Sequence, residues 1–396
     1  MRAPGTRPHV CFVAPTAWPI LSGDSANDFA GGAEVQQSLL AKRLARRGYR
    51  VSMICMDYGQ PDPVTVDGVT VTTCHDQGGG IPVIRFFHPR LTGLWSALRR
   101  ANADIYYQRA AGAATGVVGL FARCYGRRFV YAAAHDLDLA RDETWKAFRR
   151  RAGWRDRQLY YLGLSLADAI VAQTPRQERD CLRWYKRDAR LIRSGYDGAE
   201  TTPADPEGVV LWVSMMRSWK RPEMFLELAR RLPHRRFRMV GGRSSEHGGA
   251  EAFERIEAAA AHIPNLEFVG FVPHPEIEAQ FAGVRLFVNT SEGEGFPNTF
   301  LQAWSRGIPA VSVVDTGSVV DRRPVVNVVS DLDEMTARVE TLMSDDVCWR
   351  RSGLTSRMCF EQFHSIDSVL SSYERLFDDL ASPFSNAVAP AAAERC

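Results

Sequence analysis

An acidic, glycine-bearing loop that leads into a short helix is the segment of this 396-residue chain best suited to chemistry. The apolar run Leu286–Asn289 predicts a buried strand, and Glu294 lies in the loop that follows it. The helix predicted next ends at Gly307, a residue type that suits helix ends. The first N–H groups of such a helix have no partner within it and carry partial positive charge, so they suit an anionic group. Because a carboxylate can hold sugar hydroxyls, the arrangement indicates a site for a sugar attached to phosphate.

A second segment offers fixed positive charge. Arg217 and Lys220 directly follow the apolar run Val209–Val213, which predicts another buried strand. A diphosphate leaving group needs such charge, since an arginine supplies a planar bidentate donor and a lysine a compact point charge. Taken alone, the pair more often marks a solvated turn in which Pro222 opens the next helix.

The elements that must position these residues form an alternating pattern of strands and helices. In the first half, the runs typical of buried strands are Val10–Ala14, Val51–Met56, Ile105–Tyr107, Phe129–Ala133 and Ala169–Ala172. After the polar segment Asp197–Gly208 the pattern restarts with Val209–Val213, Arg236–Val240, Leu266–Val269, Leu286–Asn289 and Ala310–Val314. This alternation predicts an α/β fold with two doubly wound parallel sheets. Two such domains would enclose a cleft, and ligands would bind at the carboxyl ends of the strands.

Length and composition narrow the classes of protein to which the chain can belong. A chain of 396 residues suits two domains, and 45% hydrophobic with 24% charged residues is typical of a globular protein. The eight cysteines are scattered without a C-x-x-C pair, which argues against a zinc site or a disulfide framework and indicates reduced cytoplasmic thiols. Only five apolar residues, Val10–Ala14, follow the basic start, so neither a secretory signal nor a spanning helix is predicted.

Charge is unevenly distributed along the chain. Residues 1–200 contain 29 Lys and Arg against 19 Asp and Glu, a net charge of +10, whereas the remainder carries −7. The first half therefore suits an anionic surface or acceptor. No nucleic-acid motif accompanies this charge, so a nucleic-acid partner is not predicted. Arginines alternate with aromatic residues across Trp145–Tyr161, which suits peripheral membrane contact or, alternatively, an exposed helix with a packed aromatic face.

The segment from Ser291 to Ala310 resembles the donor-site signature of retaining glycosyltransferases of the GT-B fold, family 4 (glycosyl transferases group 1). That signature is usually a Glu, then Gly-Phe-Gly or Gly-Phe-Pro, and a second Glu eight positions after the first. Glu294 matches the first Glu, whereas position 302 holds Gln. The pattern from Arg217 to Lys220 is similar to the family's diphosphate-binding loop, and its order relative to Glu294 favours the phosphate-binding interpretation.

The resemblance also implies roles for individual residues. The catalytic set is Glu294, His135, Arg217 and Lys220, and the donor-binding set is Gly31, Gly32, Phe296, Pro297, Asn298, Thr299, Gln302, Gly241 and Val272. Glu294 would bind donor-sugar hydroxyls and favour positive charge at the anomeric carbon, and His135 would contact the donor sugar or phosphate. The family's second Glu accepts hydrogen bonds from both ribose hydroxyls, so Gln302 would hold the ribose more weakly and without charge. No metal and no cofactor are expected, because Arg217, Lys220 and helix amides neutralise the diphosphate.

The resemblance further implies a domain plan and an activity. Residues 1–200 would form the acceptor domain, 201–365 the nucleotide-sugar donor domain, 366–380 a terminal helix that crosses back, and 381–396 a disordered tail. The activity would be transfer of a hexose-type sugar from a nucleotide diphosphate to a glycan, lipid-linked or small-molecule acceptor, with the departing phosphate oxygen taking the acceptor proton. The implied setting is cell-surface polysaccharide or glycoconjugate synthesis, in the cytoplasm or at the inner face of the membrane. A binding-only partner protein, suggested by Gln302, and a nucleotide-sugar epimerase of the same fold are the alternatives.

Overall fold

The apolar run Val10–Val13 forms the central strand of the first of two parallel sheets, and all four of its side chains are buried. This arrangement is seen in a computed structural model that describes residues 7–23, 31–80, 85–141, 153–198, 204–244 and 248–382. The eight strands of this sheet lie in the order β3-β4-β2-β1-β5-β6-β7-β8. They are β1 (Val10–Val13), β2 (Val51–Asp57), β3 (Val64–Val66), β4 (Val69–Asp76), β5 (Ile105–Arg109), β6 (Arg128–Ala132), β7 (Ala169–Ala172) and β8 (Arg190–Leu191). All neighbours pair in parallel except β3 and β4, which form an antiparallel hairpin at one edge.

Helices cover both faces of this sheet. They are α1 (Trp18–Ser22), α2 (Gly32–Arg46), α3 (Thr92–Ala101), α4 (Ala113–Cys124), α5 (Asp136–Leu139), α6 (Trp154–Leu166) and α7 (Pro175–Tyr185). Side chains of β1 alternate between two apolar clusters, with Val10 and Phe12 in one and Cys11 and Val13 in the other. A parallel strand enclosed on both faces in this way reads as a continuous apolar run.

The second sheet repeats the architecture, with six parallel strands in the order β11-β10-β9-β12-β13-β16. They are β9 (Val209–Val213), β10 (Phe237–Val240), β11 (Leu266–Gly270), β12 (Val284–Asn289), β13 (Ala310–Ser312) and β16 (Val326–Val328), and β14 (Val319–Val320) pairs with β15 (Arg323–Pro324). The accompanying helices are α8 (Pro222–Arg231), α9 (Gly249–Ala260), α10 (Asn298–Trp304), α11 (Leu332–Ser344) and α12 (Asp346–Cys359), with 3-10 segments at Ser218–Lys220 and His274–Phe281. The predicted fold class, two doubly wound parallel-sheet α/β domains, is confirmed.

The terminal helix α13 (Ile366–Ala381) packs on the first sheet although it follows the second. Its Phe377 is fully buried in the same apolar cluster as β1, and the hydroxyls of Tyr373 and Tyr107 lie 3.0 Å apart. The chain therefore crosses between the domains twice, and the crossings touch where the N–H of Tyr196 donates to the carbonyl of His364 at 2.9 Å. The two crossings are thus joined by a backbone hydrogen bond where the chain passes between the domains.

Parts of the predicted domain plan fall on residues that the structure does not describe. The proposed boundary near residue 200 lies within 199–203, residues 383–396 of the predicted tail 381–396 lie outside the described ranges, and the first part of the segment Trp145–Tyr161 lies within 142–152. The domain boundaries therefore stay predictions. Among the helices of the described ranges, none is long and apolar enough to cross a membrane.

Candidate functional site

Lys220 and Glu294 come together at the carboxyl end of the second sheet. Strands β9 and β12 are parallel neighbours, so the loops that follow them meet at the same edge. The Lys220 ammonium donates a hydrogen bond to Glu294 Oε1, and the two side chains are 15% and 9% exposed. Two residues that sequence reasoning assigned to the diphosphate and to the sugar thus form one ion pair. Their chemical roles stay predictions.

The loop that carries Lys220 is fastened to the loop that carries Glu294 through Thr290. The Thr290 hydroxyl donates to the Lys220 carbonyl at 2.6 Å and accepts from the indole N–H of Trp212 at 2.9 Å. Arg221 lies in the left-handed region at φ 47° and donates from Nε to the Thr290 carbonyl at 2.9 Å. These contacts hold the Lys220 backbone in place before any ligand arrives, which is the preorganisation that electrostatic catalysis requires.

Positive charge is concentrated on this loop. The Lys220 Nζ lies 4.2 Å from the centre of the Trp219 ring, and the Arg217 guanidinium carbon lies 6.0 Å from the same centre. Burial lowers the pKa of Lys220, the nearby Arg217 lowers it further, and contact with Glu294 opposes both effects. An incoming diphosphate would restore favourable surroundings for both cations, because it adds negative charge where burial disfavours positive charge.

His135 meets the Glu294 loop across the cleft. His135 and Gly295 form an isolated antiparallel backbone bridge between the two domains. A Cβ atom at Gly295 would lie only 2.0 Å from the Ala134 carbonyl oxygen, so this close approach requires glycine. His135 Nδ1 accepts a hydrogen bond from the N–H of Leu137 at 3.1 Å. A neutral His135 therefore carries its proton on Nε2 and can donate one hydrogen bond from that atom.

A buried carboxylate orders the chain around His135. Asp138 accepts from the N–H of Ala134 at 2.7 Å and from the N–H of His135 at 3.1 Å. Burial raises the pKa of Asp138, and these backbone donors oppose that rise. Asp136 instead accepts from the Gln177 amide at 3.0 Å, within the first domain. The acid that positions His135 is thus Asp138, a residue that sequence reasoning did not select.

A second contact across the cleft involves the glycines of the first domain. Gly31 precedes α2 and Gly32 begins it, and the Asn298 amide donates to the Gly32 carbonyl at 3.2 Å. Gln36, one turn along α2, donates to Asn298 Oδ1 at 3.0 Å and to the Gly195 carbonyl at 2.8 Å. The glycine loop therefore faces the first residue of α10. Gln36 carries no motif of its own, and sequence reasoning did not select it.

Phe296 and Pro297, in the Gly-Phe-Pro portion of the motif, make contacts within the protein. The Phe296 ring is buried, stacks on His364 at a centroid distance of 4.8 Å and packs edge-on against Trp304. Pro297 has no N–H to donate, and its carbonyl accepts from the N–H of Phe300 at 3.1 Å, so its place in the donor-binding set stays a prediction. The N–H groups of Asn298 and Thr299 belong to the first turn of α10, where helices leave donors unused.

Gly241 and Val272 lie at the same carboxyl edge of the second sheet. Gly241 follows β10, and a Cβ atom there would lie 1.9 Å from the carbonyl oxygen of Ser214, in the loop that leads to Arg217. Val272 is half-buried and follows β11. Gly241 therefore lies against the loop that carries the cations, and contact of Gly241 or Val272 with a nucleotide remains a prediction.

Gln302 has a charged partner that sequence reasoning missed. The Gln302 side chain is buried, and its amide nitrogen donates to Glu278 Oε1 at 2.7 Å. Glu278 also accepts from the Tyr196 hydroxyl and from the Arg306 guanidinium, the latter at 2.7 Å. Arg306 is the residue from which Glu278 could have been anticipated, because an arginine next to the apolar helix α10 requires a nearby carboxylate.

The described residues contain no group of three or more His, Cys, Asp or Glu side chains arranged to hold a metal ion. The charged groups gathered at the cleft are instead Arg217, Lys220, Glu294 and Glu278. Such a set can neutralise a diphosphate on one side and hold hydroxyl groups on the other.

Comparison with known proteins assigns the fold and the family. The family model described as glycosyl transferases group 1 matches residues 207–345, and the model described as glycosyltransferase family 4 matches residues 30–200. Two D-inositol 3-phosphate glycosyltransferases, from Mycobacteroides abscessus and Gordonia bronchialis, are 26% and 25% identical, over 89% and 92% of this chain and 86% and 88% of theirs.

Solved structures show the same architecture. Sucrose-phosphate synthase from Thermosynechococcus elongatus superposes with a TM-score of 0.72 at 17% identity, over 94% of this chain and 99% of that chain. Anabaena Alr3699/HepE, solved in complex with UDP and glucose, superposes with a TM-score of 0.68 at 15% identity, over the same shares of the two chains. The two family models together span both sheets and the cleft between them, and the chain therefore belongs to the family 4 glycosyltransferases of the GT-B fold.

Proposed function

We propose that this glycosyltransferase moves a hexose from a nucleotide diphosphate to an acceptor hydroxyl with retention of the anomeric configuration. The observation that carries the proposal is the buried ion pair of Lys220 and Glu294, set beside the backbone bridge between Gly295 and His135. This arrangement supports the proposal that a cation for the diphosphate, a carboxylate for the sugar and a hydrogen-bond donor from the other domain act together in the cleft.

In this mechanism the protein mainly stabilises charge. Lys220 and Arg217 neutralise the negative charge that develops on the departing diphosphate, and Glu294 holds sugar hydroxyls and favours positive charge at the anomeric carbon. The His135 Nε2–H donates to the sugar or to the phosphate. The departing phosphate oxygen takes the acceptor proton on the same face, which gives retention and requires no protein base. Closure of the two domains excludes water, the competing acceptor.

Because two protein cations serve the diphosphate, we propose that turnover is independent of divalent metal ions. Chelation with EDTA should leave the rate unchanged. We propose uracil as the first candidate for the base of the donor nucleotide, since Alr3699/HepE was solved with UDP and with UDP-glucose.

The acceptor is proposed to be a polar, anionic or lipid-linked molecule on the route to a surface polysaccharide or glycoconjugate. Support comes from the net charge of +10 in residues 1–200 and from the two relatives named for inositol 3-phosphate. We further propose action in the cytoplasm, at the inner face of the membrane. Trp154 at the start of α6 is 70% exposed, and the neighbouring Arg155 guanidinium lies 3.6 Å from the centre of the Phe86 ring, a pairing of cations and rings that suits lipid headgroups.

A binding-only protein is the second candidate, because Gln302 departs from the family pattern. Donor turnover distinguishes the two candidates without an identified acceptor. UDP-glucose is incubated with wild type, with Glu294→Ala and with Glu292→Ala, whose side chain is exposed two positions away. Proton NMR should identify the first sugar released by hydrolysis as the α anomer. Wild type and Glu292→Ala should release it, and Glu294→Ala should not. Release of the β anomer would refute retention.

Thermal shifts with UDP, GDP, ADP and TDP, each with and without its sugar, extend the test to other donors. A ligand at 100 times its dissociation constant stabilises by about 2.7 kcal/mol, which is measurable. Binding of a nucleotide sugar without hydrolysis, and without transfer to any of a panel of simple glycosides and polyols, would favour the binding-only protein. Absence of a shift with every nucleotide would refute both candidates.

A further inference from the structure

We propose that Glu278 and Gln302 together bind the ribose hydroxyls of the donor nucleotide, with Glu278 supplying the negative charge that Gln302 lacks. This inference rests on the proposed function, since it concerns the nucleotide of the donor. It assigns a substrate contact to a residue outside the sequence motif, and it gives a reason for glutamine at position 302.

Hydrogen-bond geometry fixes the orientation of the two side chains. The atom of Gln302 that faces Glu278 Oε1 at 2.7 Å must be the amide nitrogen, because an ionised carboxylate only accepts. Burial alone would raise the pKa of Glu278, but the hydrogen bonds from Tyr196, Gln302 and Arg306 outweigh it and lower the pKa, so Glu278 is ionised. The carbonyl oxygen of Gln302 therefore points away from Glu278 and is an acceptor.

Glu278 itself keeps capacity for a ligand. An ionised carboxylate offers about four acceptor positions. Tyr196 and Arg306 donate to Oε2, and Gln302 donates to Oε1, so Oε1 retains a position for one more donor. The Glu278 side chain is 40% exposed, whereas the Arg306 side chain behind it is 5% exposed. Glu278 is thus anchored on its buried side and accessible on the other.

The location suits the sugar of a nucleotide. Asn298 and Gln302 lie one turn apart on α10, on the same face of the helix. Asn298 contacts Gly32 of the first domain, so this face is turned toward the cleft, and Glu278 lies beside Tyr196 of the crossing segment. Gln302, with Glu278 beside it, thus lies one helical turn from the residue that meets the first domain. A vicinal diol is the ligand group best matched to one amide oxygen and one carboxylate oxygen.

The same geometry explains glutamine at position 302. A glutamate there would put two carboxylates in direct contact, and one of them would have to be protonated. The present pair carries one negative charge, as a single glutamate at position 302 would. Charge has therefore moved to the neighbouring residue while the number of acceptor atoms is kept.

The test pairs a protein variant with a ligand variant. Wild type, Glu278→Gln and the control Glu276→Gln, exposed two positions away, are titrated calorimetrically with the tightest-binding of UDP, GDP and ADP and with its 2′,3′-dideoxy analogue. The expected result is a loss of about 10-fold or more in affinity for the ribonucleotide in Glu278→Gln, and little loss for the dideoxy analogue. Glu276→Gln should match wild type for both ligands.

Two other outcomes separate the possible failures. Equal losses for both ligands in Glu278→Gln, or no loss for either, would overturn the ribose contact and leave Glu278 as a partner of Arg306 and Tyr196 only. The proposed function would survive that result. If wild type binds none of the three ribonucleotides, the proposed function fails, and this inference fails with it.

Discussion

Gly295→Ala should separate chemistry from donor binding, because the side chain it adds meets the opposite domain. The new Cβ would lie 2.0 Å from the Ala134 carbonyl oxygen and 2.9 Å from the His135 Cα. Restoring ordinary contact at 3.4 Å requires the two segments to part by about 1.4 Å. A misplacement near 1 Å at a reacting centre costs about 100-fold in rate, so kcat/KM should fall by about that factor. Nucleotide affinity should change little, since the atoms that the new Cβ meets belong to the first domain.

Gly293→Ala is the matched control, since a Cβ atom there meets nothing within 4 Å. Both variants restrict the unfolded chain in the same way, so a difference between them reports the folded state. The assay is donor hydrolysis or transfer over a range of nucleotide-sugar concentrations, together with calorimetric titration of the nucleotide. If the two variants keep the same kcat/KM, the contact between His135 and Gly295 does not belong to the catalytic arrangement.

Three further perturbations test other parts of the structure. Gln302→Glu should weaken nucleotide binding by about 10-fold, because hydrogen bonds to charged groups contribute about 1.5–3 kcal/mol. Adding Glu278→Gln should recover much of the loss. Unchanged binding in the single variant would contradict the argument that two carboxylates cannot both be charged at positions 278 and 302. Lys220→Gln should lower kcat by about 100-fold or more in a turnover assay, as loss of one preorganised donor does, and near-normal kcat would exclude it from the leaving-group site. Phe377→Ala should destabilise the protein by about 3–5 kcal/mol in urea unfolding, whereas Arg375→Ala on the exposed side of α13 should not. Equal urea midpoints for the two variants would argue against the packing of α13 on the first sheet.

The central strands of both sheets could be predicted because their side chains are buried on both faces. Val10–Val13 and Val209–Val213 read as continuous apolar runs for that reason. The edge strand β11 was predicted as well, but β3, β4, β8 and β16, which lie at or next to the other sheet edges, were missed. In β4, Val69 and Val71 are buried whereas Thr70 is exposed, and this shorter alternation in a threonine-rich run carries a weaker signal. The two-residue strand β8 carries hardly any pattern at all.

Within the candidate site, the motif residues could be predicted from the sequence, whereas the residues that hold them in place could not. Lys220 and Glu294 follow strands that the apolar pattern identifies, so their position at one sheet edge follows from topology. Thr290 and Glu278 act through hydrogen bonds between segments distant in sequence, and no local spacing records such a contact. The sequence alone indicates only a turn residue at Gly295, since its close approach to Ala134 depends on how the two domains are placed.

If Lys220 binds the diphosphate and Glu294 the sugar, as proposed, their ion pair joins the groups that bind two chemically different parts of the donor. Each charge lies in a buried position, and each satisfies the other. A diphosphate alone would draw Lys220 away and leave Glu294 without its cation, which is unfavourable at a buried carboxylate. A nucleotide sugar supplies phosphate oxygens to Lys220 and hydroxyl donors to Glu294 at the same time. The pair should therefore favour the intact donor over the spent nucleotide, so that product release is helped by the return of Lys220 to Glu294.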